Sequence, residues 1–96
     1  MEVDQITEIG IDDQEQLYVA PKCARFPFIY REAMEVHWNE EKKILHSPKP
    51  RQWSYADWLR QILSAAEKQA IQLKATPETS WRNVSSSLKK ELEQCL

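Results

Sequence analysis

Ninety-six residues are enough for one modest core and exclude a second domain. An apolar share of 42% beside a charged share of 29% excludes a disordered chain, and no apolar run approaches the ~20 residues that a membrane crossing takes. Net charge is −2 but unevenly placed: Glu2, Asp4, Glu8, Asp12, Asp13 and Glu15 all precede the first base, Lys22, whereas Lys42 to Ala56 holds no acid.

The acidic start Met1-Glu2-Val3-Asp4 is the reverse of a signal peptide's basic region, so a cytoplasmic protein is expected. In that compartment Cys23 and Cys95 are read as free thiols, although one disulfide between them is the alternative. Ile6 to Ile11 and Leu17 to Val19 are β-rich runs parted by the polar turn Asp12-Asp13-Gln14-Glu15. Gly10 is the single glycine, which predicts few left-handed turns.

After an irregular stretch from Pro21 to Pro27, Phe28, Tyr30, Met34, Val36 and Trp38 alternate with Ile29, Arg31, Ala33, Glu35 and His37. Period two predicts one long half-buried strand, or two short ones meeting at a bulge near Glu32. Asn39 to Lys43 reads as a loop and Ile44 to Ser47 as a returning strand. Pro48 and Pro50 then end the sheet, since proline lacks a ladder donor.

A helix starts at Ser54, with Asp57 completing a capping box and Trp53 and Trp58 at the two positions of a hydrophobic staple. Tyr55, Trp58, Leu59, Ile62, Leu63, Ala66 and Ala70 fall on one face of it. Ile71 and Leu73 read as a short strand or extended link, and Thr76-Pro77 as the start of one helical turn. Val84, Leu88 and Leu92 place an amphipathic helix at the C-terminus, capped by one of Asn83 to Ser86. The predicted fold is a single α+β domain, residues 1–96. An antiparallel meander of three to four strands fills its N-terminal half, covered on one face by the long central helix and the C-terminal helix.

No motif of nucleophilic, phosphate-binding or dinucleotide chemistry is present, so no enzyme and no cofactor are expected. His37, His46 and Cys23 are too few to converge on zinc, which takes three or four ligands. The candidate partner-binding residues are Arg31, Glu32, His37, Trp38 and Trp53. Arg31 and Glu32 are polar groups set among aromatics, and tryptophan beyond what a small core hides favours interfaces. The expected partner is a protein, foremost a second copy in a homodimer, because nine aromatic rings and two amphipathic helices exceed the interior of 96 residues.

Two alternatives have their own residues. Lys42, Lys43, Lys49 and Arg51, with Trp53 as a stacking surface, make a nucleic-acid reading, against which stand a pI of 5.7 and only four cations. An aromatic pocket near Tyr30 to Trp38 makes a small-molecule reading.

Tyr30-Arg31-Glu32-Ala33, Val36-His37-Trp38, Ser47-Pro48-Lys49-Pro50 and Trp53-Ser54-Tyr55-Ala56-Asp57-Trp58, spread over residues 17–84, carry a resemblance. The chain resembles the small orphan proteins of bacterial mobile gene cassettes, integron cassettes among them. Small toxin-immunity proteins are a neighbouring class of similar size and layout. The resemblance implies a bacterial accessory protein with a partner-binding role, and brings with it no activity and no binding residues.

Overall fold

The computed structural model describes every residue from Met1 to Leu96. The elements run β1 (Glu2–Ile11), β2 (Leu17–Pro21), a 3-10 turn (Ile29–Arg31), β3 (His37–Asn39), β4 (Ile44–His46), α1 (Tyr55–Lys68), β5 (Ile71–Arg82) and α2 (Ser86–Glu93). The strands form one five-stranded sheet in the order β3-β4-β2-β1-β5, mixed because β5 runs parallel to β1 while the other pairs are antiparallel. No helix is long and apolar enough to cross a membrane.

The α+β class stands, and the meander is corrected in two ways. β4 inserts between β2 and β3, so the spatial order is not the chain order. A fifth strand covers Ile71 to Arg82, where the sequence predicts a short strand or extended link at Ile71 and Leu73 and then a helical turn at Thr76-Pro77. The parallel pairing of β5 with β1 needs a crossover, and α1 leads directly into β5 to complete it. Pro77 is tolerated because the ladder skips it. Ile6 faces Ala75 and Glu8 faces Ser80, so Thr76 to Thr79 bulge outward. Thr79 closes the bulge: its buried hydroxyl donates to the Ile6 carbonyl at 2.6 Å and accepts the Thr76 N–H at 2.9 Å.

β1 carries a bulge of its own at Thr7 against β2, and this decides which side chains enter the core. Strict alternation would put Ile6 and Ile9 on opposite faces; the extra residue returns both to the same face, where each is buried. There they meet Leu17, Val19, Leu45 and Leu73 from the other strands, Leu59, Ile62 and Ala66 from α1, and Leu92 from α2.

The start of α1 is as read. Ser54 accepts the Asp57 N–H at 3.2 Å while the Asp57 carboxylate accepts the Ser54 N–H at 3.0 Å, and the Trp53 and Trp58 rings lie 4.8 Å apart. α2 is capped by Ser85, which accepts the Leu88 N–H.

The segment from Phe28 to Val36 is not a strand. It forms the 3-10 turn and then bends, and β3 begins only at His37. Phe26, Ile29, Ala33 and Val36 are the buried ones, at the three-to-four-residue spacing of turns, while Phe28, Tyr30 and Met34 point to solvent. The period-two pattern therefore assigned the wrong face to most of these positions. Left-handed backbone is also commoner than one glycine suggested: Glu15, Glu35, Lys43, Ala70 and Asn83 all have φ between 57° and 65°. Cys23 and Cys95 are free.

Candidate functional site

Alternate residues of the strands face away from the helices, and register aligns one from each strand into a row. His37 on β3 is opposite His46 on β4, His46 is opposite Tyr18 on β2, Tyr18 opposite Gly10 on β1, and Gly10 opposite Arg82 on β5. The bare Gly10 is the key to the row. A Cβ there would stand 2.5 Å from Cζ and 2.7 Å from Cε2 of Tyr18, so the tyrosine ring lies flat on the glycine. Tipped across β1, the ring buries itself and its hydroxyl donates to Glu8 Oε2 at 2.7 Å.

Burial, then the hydrogen bond and negative charge of Glu8, push the Tyr18 phenol up to about 12, with Arg82 opposing. His46 is moved down, first by burial and then by His37 and Lys42, against the pull of Asp12. The two histidine rings lie 5.5 Å apart, and the buried Nδ1 of His46 has no hydrogen-bond partner. No three His, Cys, Asp or Glu side chains gather closely enough to hold a metal ion. Cys23, bonded through its N–H to Asp4, lies beside the opposite end of β1 from Gly10 and the row.

Residues of the β1–β2 turn and the β3–β4 hairpin, with Glu8, Tyr18, His46 and Arg82, line a half-open groove of about 770 Å³. Only three of its thirteen lining residues are apolar.

The sequence-predicted partner residues do not form one patch. His37 ends the row just described. Trp38 turns to the opposite face, edge-on to Phe26 at 5.8 Å, with its Nε1 donating to Glu40 at 3.4 Å. Trp53 lies on Trp58 and stays 44% exposed. Glu32 is held by the Gln69 side chain at the end of α1. Arg31 belongs to a second surface feature: its guanidinium sits 4.6 Å over the Phe28 ring and 5.9 Å from the Tyr30 ring.

The basic segment is likewise dispersed. Lys43 pairs with Glu40 at 2.6 Å and Lys49 with Glu15, Arg51 is exposed, and Lys42 lines the groove. Of the aromatics near Tyr30 to Trp38, Tyr30 is exposed whereas Trp38 packs on Phe26.

Sequence reasoning missed Tyr18, Glu8 and Arg82. The available signal was the lone glycine inside a strand pattern, which marks a close approach by another group.

A family model described as Integron Cassette Protein Hfx_Cass5 matches residues 4–76. A search of curated proteins finds no match. Among solved structures, Integron Cassette Protein Hfx_Cass5 from the mobile metagenome of the North West Arm Sewage Outfall is similar. It shares 47% sequence identity, with 99% of this chain and 96% of that chain covered. The TM-score is 0.51. With the matched model spanning most of its length, the chain belongs to the Hfx_Cass5 family of integron cassette proteins.

Proposed function

We propose that this cassette protein is a non-enzymatic binding protein whose first partner is a second copy of itself, engaged through residues 28–35. The observation that carries the reading is the run Phe28, Tyr30 and Met34, exposed to 48%, 59% and 87%, with Arg31 laid over the two rings. Aromatic side chains, methionine and arginine are the types enriched where proteins dock.

Self-association is favoured over a foreign partner by charge. Arg31 and Glu35 are both exposed within this segment and neither takes part in an ion pair within the chain. A two-fold interface brings a patch against itself, so each copy's arginine meets the other's glutamate.

Sedimentation at micromolar concentration tests this. The wild-type chain is expected as a dimer, and Tyr30→Asp, an exposed position that leaves the core alone, as an 11.3 kDa monomer. A wild-type monomer overturns the self-partner.

A further inference from the structure

The groove on the helix-free face is independent of the 28–35 patch and is built differently. Four of its polar side chains are each fixed by one atom and present another. Glu8 accepts the Tyr18 hydroxyl through Oε2, which leaves Oε1. Asp12 Oδ1 accepts the N–H groups of Gln14 and Gln16 at 2.9 Å, which leaves Oδ2. Asn39 accepts the Lys42 N–H through Oδ1 and keeps its NH₂ free, whereas Asn83 donates from Nδ2 to the Ile11 carbonyl and keeps its oxygen free. Arg82 and Lys42 take part in no ion pair. Planar groups held in this way on strands and tight turns are preorganised donors and acceptors.

We infer that this groove is a binding site for a neutral polyhydroxylated molecule of the sugar class. Charges of both signs line it, so an anion meets Glu8, Asp12 and Asp13, and a cation meets Arg82 and Lys42. Neither sign is selected. An apolar molecule finds three apolar neighbours among thirteen. A hydroxyl both donates and accepts, so adjacent hydroxyls satisfy a carboxylate oxygen on one side and a guanidinium or amide N–H on the other. The volume of about 770 Å³ lies in the range of small-molecule sites, with room for more than one ring.

Amide-detected NMR titration of the intact protein tests the assignment. The probes are glucose, galactose, maltose and N-acetylglucosamine, with inorganic phosphate and glutamate as ionic comparators. At least one sugar is expected to give saturable shifts at Glu8, Tyr18, Asn39 and Arg82. Arg82→Gln and Lys42→Gln, both at groove-lining positions outside the buried core, are each expected to weaken that binding about tenfold, by removal of a charged hydrogen-bond donor. Tyr30→Asp should leave it unchanged, which separates this site from the self-association surface. Saturation by phosphate or glutamate without any sugar overturns the inference in favour of an ionic ligand. Absence of saturable shifts at these residues with every probe overturns it outright.

Discussion

The two faces of the sheet share the same strands and differ in what their alternate residues do. On the helix-covered face Ile9, Leu17, Val19 and Leu45 are fully buried and interlock with α1 and α2. On the other face, one residue along each strand, stand Gly10, Tyr18 and His46, flanked by His37 and Arg82. Burial of apolar surface stabilises the first face without regard to direction. The second depends on oriented hydrogen bonds and one missing side chain. Stability and candidate chemistry are thus separated by a single step of strand alternation, so each can be perturbed with little effect on the other.

The strongest probe of the comparison is on the covered face. Leu17→Ala is expected to cost about 2–5 kcal/mol, from lost transfer energy and the cavity left between β2 and α1. Urea denaturation measures it. A cost below about 1 kcal/mol would mean that the two faces do not differ as described.

Gly10→Ala comes next and acts on the open face alone. The new methyl occupies the space of the Tyr18 ring, and displacing that ring should cost about 1–3 kcal/mol. Its signature is loss of the Tyr18–Glu8 hydrogen bond, read as the tyrosine titration returning toward its ordinary value. A stable variant with an unmoved titration would show that the ring does not lie on the glycine.

Tyr18→Phe should have the smallest effect at neutral pH, about 0.5–1.5 kcal/mol for one hydrogen bond. Its sharper readout is alkaline. The folded phenol titrates at about 12 against an ordinary 10.0, so the neutral form is favoured by folding. That contribution is complete below pH 10 and is lost as pH rises through 12. Denaturation profiles across that window should fall more steeply for the wild type than for Tyr18→Phe. Parallel profiles would remove Tyr18 as the source of the alkaline loss.

What could be read in the sequence was local. The capping box at Ser54 and Asp57, the Trp53–Trp58 staple, the Asn39–Lys43 hairpin and an α2 cap within Asn83 to Ser86 each involve residues within about five positions, so their types and spacing suffice. The cassette resemblance was legible too, because it rests on strings of residues and not on geometry.

What tertiary structure alone decided lies at long range. Thr76-Pro77 has the chemistry of a helix start, yet pairing with β1 some seventy residues away outweighs it, and a bulge absorbs the proline. Phe28 to Val36 alternates like a strand, but entry of Ile29, Ala33 and Val36 into the common core selects a turn spacing instead. The row from His37 to Arg82 exists only through the register of four strand pairings, two of them between segments distant in sequence. Local propensities differ by about 1 kcal/mol or less per residue, whereas burying a whole side chain contributes two or three times that, so where the two conflict the packed neighbours win.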